Sequence, residues 1–140
     1  GYIRSSIKMF IDRPLTGQGP NMFRKLCNME EYKVSNISCN THPHHNYVQL
    51  LAETGVVGFI FLSLFFIFIS ISLIKHLFSN YLFKNSLLNN VQVCIYIAIL
   101  LSVLPLLPTL NFFNNWVNVI YYISIGFFLY FRYTVPYEKK

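Results

Sequence analysis

The feature that most constrains this chain is an uncharged apolar run, residues 55–74, that lies directly after a cluster of polar side chains. The run is 20 residues long. At about 1.5 Å rise per residue, a helix of that length crosses the roughly 30 Å hydrocarbon core of a bilayer. Only 11% of the residues are charged and 54% are hydrophobic, whereas soluble domains carry about 25% charged residues. We therefore expect a membrane protein.

Two further apolar runs follow, at residues 91–107 and 112–131, and a polar segment at residues 1–50 precedes all three. We predict an all-α, polytopic membrane protein fragment with transmembrane helices over 55–74, 91–107 and 112–131 and an N-terminal extramembrane loop that carries short helices. The chain begins without an initiator Met, and no signal peptide is visible in residues 1–40. We expect residues 1–140 to be the C-terminal part of a larger domain.

Charge predicts the orientation in the membrane. The net charge is +6, and basic residues flank the apolar runs in the connector 75–90 and the tail 132–140. Short cytoplasmic loops are enriched in Lys and Arg, so both segments are predicted to be cytoplasmic and residues 1–50 to lie on the opposite face. The six basic residues of the first third argue mildly against this, although longer external segments obey the charge rule less strictly. The flanking basic residues are Lys75, Lys84, Arg132, Lys139 and Lys140.

The polar segment contains short elements of its own. Apolar side chains recur at helical spacing over residues 2–12, which predicts an amphipathic helix that ends before Pro14. Residues 22–29 favour one more short helix, and residues 30–40 are typical of a loop. Cys27 and Cys39 have 11 residues between them. An external location permits a disulfide between them, and the alternative is a pair of unrelated free thiols.

A helix is predicted to begin in the polar cluster that precedes the first run. Pro43 suits its first turn, with a capping side chain at position 41 or 42. Four-residue spacing then places Gln49 and Glu53 on one face together with His45, while His44 lies about 100° away. Helical spacing alone therefore favours His45 as a member of a polar network and is silent about His44.

Three readings of the histidines remain open from the residues alone. Zinc binding by the three histidines at 42, 44 and 45 with Glu53 matches no standard spacing, and no Cys pair completes it. Interfacial histidines that bond lipid headgroups and cap the helix are the second reading. Acid–base chemistry is the third, because the histidine side chain titrates near neutral pH.

Three landmarks carry a family resemblance. Residues 43–58 read Pro-His-His-Asn-Tyr-Val-Gln-Leu-Leu-Ala-Glu-Thr-Gly-Val-Val-Gly, and residues 14–24 read Pro-Leu-Thr-Gly-Gln-Gly-Pro-Asn-Met-Phe-Arg. Residues 112–116 read Phe-Phe-Asn-Asn-Trp. In their order along the chain they resemble the signature of the O-antigen ligase and polymerase superfamily: a Pro-His-Asn opening with Tyr-x-Gln and Ala-Glu-x-Gly, and a Pro-x-x-Gly-x-Gly-Pro segment before Phe-Arg.

The resemblance implies a glycosyltransferase that takes a glycan from undecaprenyl pyrophosphate on the periplasmic side, without a metal or other cofactor. By alignment with the family motif, the catalytic base falls on His44, and the phosphate-contacting arginine of this loop falls on Arg24. The next position is usually Asn in the family and is His here. The glycines at 17 and 19 would let the backbone approach the phosphates closely. The remaining candidate substrate-binding residues are His45, Asn46, Gln49 and Glu53.

The function that this resemblance favours is O-antigen ligation, in which the glycan passes to lipid A–core during lipopolysaccharide biosynthesis. One alternative is O-antigen polymerase, which joins repeat units, and another is a non-catalytic glycolipid-handling or transport protein. The implied partners are the undecaprenyl-pyrophosphate-linked glycan donor, a lipid A–core or glycan acceptor and membrane lipids, with no nucleic acid. The implied location is the bacterial inner membrane, with several spans and the catalytic side in the periplasm.

Overall fold

The structure, a computed structural model, describes residues 1–36 and 38–134. The tail predicted to be cytoplasmic therefore lies mostly outside the described residues. Within them every regular element is a helix and no strand occurs, which confirms the all-α prediction. The helices are α1 (Tyr2–Asp12), α2 (Phe23–Leu26), α3 (Asn46–Phe83), α4 (Asn90–Ser102) and α5 (Asn115–Thr134).

The chain divides into two compact units. The first comprises residues 1–63 and 105–118, and the second comprises residues 64–104 and the chain from 119 onward. Each has its own buried apolar cluster. In the first unit the cluster consists of Met9, Phe23, Cys27, Tyr32 and Ala52.

The first unit begins with α1, whose bounds confirm the predicted helix over 2–12. The buried residues of α1 are Ser5, Ser6 and Met9. They lie in sequence between the exposed isoleucines of the same helix, Ile3, Ile7 and Ile11. The second short helix was predicted over residues 22–29. It is shorter in the structure, where α2 covers four residues. Residues 30–36 and 38–40 form a loop, as the sequence indicated.

The long helix α3 is broken at Gly55. This residue has φ 66° and ψ −160°, a backbone conformation that is essentially restricted to glycine. Residues 46–54 and 56–83 are therefore two helical segments that meet at a kink. The strap, residues 14–19, crosses the kink and supplies hydrogen-bond partners for the backbone groups that the break releases. Gln18 N–H donates to Ala52 O at 2.9 Å, and Val56 N–H donates to Pro14 O at 2.8 Å.

One helix in the described part of the chain, α3, is long and apolar enough to cross a membrane. Its segment 56–83 contains all of the predicted span 55–74 except Gly55, which lies at the kink. The prediction of a second helix over 91–107 needs correction, since α4 ends at Ser102 and has 13 residues, about 20 Å in length. Pro105 disfavours helical geometry in the residue before it and has no N–H to continue the helix.

The last helix begins three residues later than the sequence indicated. The side chain of Asn114 accepts a hydrogen bond from Trp116 N–H at 3.0 Å, which is the bond that a capping residue makes at a helix start. α5 has 20 residues, enough for about 30 Å of helix. The arrangement of three spans remains a prediction.

The second unit packs around Ile69, Tyr96, Ile99 and Phe128. Arg132 donates to the Tyr96 hydroxyl at 3.1 Å, and its guanidinium carbon lies 5.2 Å from the centre of the Phe68 ring. The last turn of α5 is thus tied to its own unit by a cation that lies against aromatic faces.

Candidate functional site

The histidine-bearing turn precedes α3 rather than forming its first turn. The helix begins at Asn46, so Pro43 does not occupy the first helical position that the sequence predicted. His44 is the reason, because its φ of +58° is left-handed and interrupts a right-handed helix. A bulky residue in this conformation is uncommon, and such strain concentrates at functional sites.

The hydrogen bonds distinguish the three histidines. His45 Nε2 lies 2.8 Å from Pro105 O, and since a carbonyl only accepts, this nitrogen carries a proton. Its Nδ1 accepts from Val48 N–H at 3.4 Å, and its carbonyl accepts from Gln49 N–H at 2.9 Å. His45 therefore serves as the cap of α3 with both ring nitrogens engaged.

His42 is also held on both sides of its ring. Its Nε2 donates to Thr109 O at 3.2 Å, and its Nδ1 lies 2.9 Å from the Thr41 hydroxyl. The side chain is buried, and burial lowers the pKa of His42, with a further lowering by the neighbouring His44 and a smaller opposing effect of the Thr109 carbonyl. His42 is thus a neutral packing residue beneath His44, and the two ring centres are 4.1 Å apart.

His44 is the exposed member of the three. Its Nε2 lies 3.0 Å from the side-chain nitrogen of Asn40, and its carbonyl accepts from Thr109 N–H at 3.0 Å. Tyr2 of α1 packs near the ring, with centres 5.7 Å apart. The backbone of His44 is therefore held by the hydrogen bond from Thr109, while its side chain is exposed.

A pocket of about 560 Å³ opens beside this imidazole. Most of its wall is apolar, and Arg4 supplies a fixed positive charge. Such a pocket fits a ligand with an apolar part and an anionic group. It is lined by Gly1, Tyr2, Ile3, Arg4, Pro43, His44, His45, Leu106, Leu107 and Pro108.

The predicted substrate-binding residues Asn46, Gln49 and Glu53 are buried, each 1% exposed or less. Glu53 Oε1 accepts from Phe23 N–H at 2.7 Å, and its Oε2 accepts from the Gln49 side chain at 3.0 Å. The face shared by Gln49 and Glu53 was therefore anticipated correctly. Their polar atoms hold the start of α2 against α3, and substrate contact by them remains a prediction.

Gln49 extends this network to the connector before α5. Its side-chain nitrogen donates to Asn111 Oδ1 at 2.7 Å, and its side-chain oxygen accepts from Phe112 N–H at 3.0 Å. The landmark at residues 112–116 thus meets the landmark at residues 43–58 through the buried amide of Gln49. A satisfied polar network of this kind fixes a unique arrangement of the segments that it joins.

Arg24 is exposed on α2 and near enough to the Glu53 carboxylate for their charges to interact. No hydrogen bond or ion pair of its guanidinium occurs within residues 1–36 and 38–134. The arginine that lines the pocket beside His44 is Arg4 instead. The sequence did not single out Arg4, although its place one turn into an amphipathic helix was visible.

The glycines of the strap have a packing role. A Cβ on Gly17 would lie 2.6 Å from the Gly55 nitrogen, so only a residue without a side chain lets the strap cross the kink there. Gly17 also has a positive φ of 63°. Close approach of the backbone to phosphates was predicted at this position. The close contact in the structure is with the α3 backbone, and a phosphate contact remains a prediction.

Cys27 and Cys39 are paired as a disulfide, with their Cα atoms 5.0 Å apart. The bridge connects the end of α2 to the loop that leads into the histidine turn. Asn40, which contacts His44, follows Cys39 directly. Nothing in the sequence pattern marked Asn40, because its role depends on the left-handed turn at His44.

The described residues contain no group of three His, Cys, Asp or Glu side chains that could hold a metal ion. The zinc reading therefore has no geometric support in this part of the chain. The ring nitrogens of His42 and His45 that it required are hydrogen-bonded to protein atoms.

Comparison with known proteins gives a match for residues 2–63 of the chain. No curated protein and no solved structure matches it. The model of the family described as O-Antigen ligase matches residues 2–63, a range that contains α1, the strap, the histidine turn and the kink at Gly55. The third landmark lies outside this range. The resemblance is thus confirmed over residues 2–63, which form an O-antigen ligase-related segment.

Proposed function

We propose that the protein carrying this chain is a glycosyltransferase of the O-antigen ligase type, which transfers a glycan from undecaprenyl pyrophosphate to lipid A–core. The observation that carries this proposal is the exposed imidazole of His44 at the mouth of a largely apolar pocket. The other two histidines of the turn have both ring nitrogens engaged by protein atoms. His44 is therefore the histidine available to a substrate.

The reaction follows from these groups. A hydroxyl of the acceptor gives its proton to the neutral His44 ring as its oxygen attacks the anomeric carbon of the donor sugar. A new carbon–oxygen bond forms, and the bond between that carbon and the pyrophosphate oxygen breaks. The electron pair leaves with the lipid pyrophosphate, so negative charge develops on the leaving group. An arginine stabilises that charge with a bidentate contact.

Two arginines are candidates for this contact. Arg24 is the one implied by the family motif, and its guanidinium is exposed. Arg4 is supported by its position in the wall of the pocket that His44 also lines. We propose Arg24 as the pyrophosphate ligand and Arg4 as a second cation in the same reaction, so neutral replacements at both should lower turnover.

The membrane arrangement proposed with this function has three spans in α3, α4 and α5 and residues 1–50 in the periplasm of a multi-pass inner-membrane protein. Lys75 lies in the last part of α3 and Lys84 directly follows it, in keeping with a cytoplasmic end of that helix. The lipid-linked donor is then presented from the outer leaflet to a pocket that precedes the apolar part of α3.

The experiment compares His44→Ala with His45→Asn in the complete protein, reconstituted with lipid-linked glycan and lipid A–core. His44→Ala should lower turnover by about 10²–10⁴-fold, the usual contribution of a positioned general base. His45→Asn should keep most activity, because Asn is a good helix cap. Equal amounts of protein in the membrane establish that each variant inserts.

An active His44→Ala enzyme would exclude His44 as the base, and an inactive His45→Asn beside it would transfer the role to His45. The product separates the two enzyme classes. Polymer attached to lipid A–core supports a ligase, whereas lengthened glycan that remains on the undecaprenyl carrier supports a polymerase. Arg24→Lys and Arg24→Ala in the same assay should both lose turnover, since Lys lacks the planar fork.

A further inference from the structure

The contact between Asn40 and His44 assigns a role that the family motif does not include. We propose that Asn40 is a positioning residue, whose side-chain amide fixes the neutral His44 ring as the Nδ1–H tautomer and reserves Nε2 for the acceptor hydroxyl. This inference rests on the proposed function of His44 as the base.

The orientation of the Asn40 amide follows from its second hydrogen bond. Asn40 Oδ1 accepts from Thr41 N–H at 2.7 Å. A backbone N–H only donates, so the atom that faces it is the amide oxygen, and the atom that faces His44 is the NH₂ group. Exchanging the two ends of the amide would place a donor against the Thr41 donor.

The tautomer of His44 follows in turn. The Asn40 NH₂ group lies 3.0 Å from His44 Nε2 and donates, so Nε2 offers its lone pair. In a neutral imidazole the other nitrogen then carries the proton. Protonation at Nε2 would set two donors against each other, so the Asn40 contact requires a lone pair at Nε2, the atom that a base uses to take a proton.

Other charged and titratable groups surround the His44 ring. α1 presents Tyr2 and Arg4 to the pocket that His44 lines. The His42 ring lies against the His44 ring and His45 lines the same pocket, each with its own hydrogen bonds. Among the described residues, the hydrogen bond to a His44 ring nitrogen is made by Asn40.

The position of Asn40 is itself fixed. Cys39 precedes it and is bridged to Cys27 at the end of α2. Ser38, 1% exposed, anchors the loop through its hydroxyl, which donates to Ser35 O at 2.6 Å. The amide is therefore presented to His44 from a loop that is restrained on its N-terminal side.

In the free protein the Asn40 amide occupies the position that an acceptor hydroxyl must take to reach Nε2. A hydroxyl donates one hydrogen bond, as the amide does, so it can replace the amide without a change of tautomer. Its proton then passes to Nε2 as its oxygen attacks the donor, and both nitrogens of the resulting imidazolium carry protons.

The test measures the tautomer directly. In the complete protein labelled with ¹⁵N-histidine, nitrogen chemical shifts identify which His44 nitrogen carries the proton, and His44→Gln assigns the signal. The unsubstituted protein should show Nδ1–H. Asn40→Asp should reverse this to Nε2–H or to imidazolium, because a carboxylate accepts a hydrogen bond and attracts the charged ring. Asn28→Asp, an exposed change of the same charge in the same segment, should leave the tautomer unchanged.

The matched activity measurement uses the same variants. Asn40→Asp should lower turnover by about 10²-fold or more and move the acid limb of the pH–rate profile to higher pH. An Nε2–H ring in the unsubstituted protein, or an Asn40→Asp variant with normal turnover beside an inactive His44→Ala, would overturn the positioning role while the proposed function stands. If His44→Ala is also fully active, the proposed function fails and the positioning role fails with it, even where the tautomer is as stated.

Discussion

Replacing Gly55 by Ala tests whether the kink in α3 depends on glycine. The backbone there has φ 66° and ψ −160°, and a side-chain residue in that conformation costs about 1–3 kcal/mol. The added Cβ would also lie 2.7 Å from Pro14 O and would contact the Leu15 carbonyl. These are backbone atoms of the strap, which cannot rotate away, and overpacking of this kind costs about 1–3 kcal/mol. Together the two effects predict a loss of about 2–6 kcal/mol, a large share of a typical total of about 5–15 kcal/mol.

A control with the opposite sign is available at Gly126. No heavy atom would lie within 4 Å of a Cβ at this position in α5, so Gly126→Ala should stabilise the helix by about 1 kcal/mol through helix propensity. Urea unfolding of the complete protein in detergent, followed by circular dichroism, measures both variants.

The strap gives a local readout of the same substitution. The amides of Gln18, Gly19 and Val56 bond across the kink, so their hydrogen exchange should accelerate in Gly55→Ala and remain unchanged in Gly126→Ala. A Gly55→Ala midpoint equal to or above that of Gly126→Ala, with these amides still protected, would refute the reasoning.

Two further predictions concern the loop before the histidine turn. The double variant Cys27→Ser/Cys39→Ser should lower the free energy of unfolding by about 3 kcal/mol, the chain-entropy value for a short closed loop, whereas Cys94→Ser should have little effect; free alkylation of Cys27 and Cys39 in the native protein without reductant would show that the bridge is absent. Burial lowers the pKa of His42 in the folded protein below its ordinary value of 6.5, so below about pH 6.5 the unfolded chain binds the proton more readily. The stability that His42 contributes is therefore complete above that pH and is lost as the pH falls through its folded pKa, and urea midpoints of the unsubstituted protein and His42→Gln at pH 8 and pH 5 should converge at the lower pH.

Local rules read from the sequence were sufficient for the helices that depend on local interactions. α1 has the predicted bounds because its apolar spacing and Pro14 act within a few residues. The kink at Gly55 was not foreseen, since Gly55 opens an apolar run whose periodicity continues on both sides. What breaks the helix there is the strap, about 40 residues earlier in the chain, which donates to the carbonyls of Ala52 and Glu53. A partner this distant leaves no local signal.

The site divides in the same way. The sequence motif singled out His44 and helical spacing singled out His45, and the structure explains why the two criteria diverged. The helical-spacing argument required the histidine turn to be part of the helix. Because His44 has a left-handed φ, the helix begins after the turn and His45 is its cap. The capping residue, His45, hydrogen-bonds to its own helix. The adjacent left-handed residue, His44, projects its side chain away from that helix. The departure from the family motif at position 45 therefore replaces one capping residue by another, because both Asn and His can accept a bond from the first turn of α3. The base and the cap are neighbouring residues with separate tasks, which is why exchanging His45 should be tolerated where exchanging His44 is not.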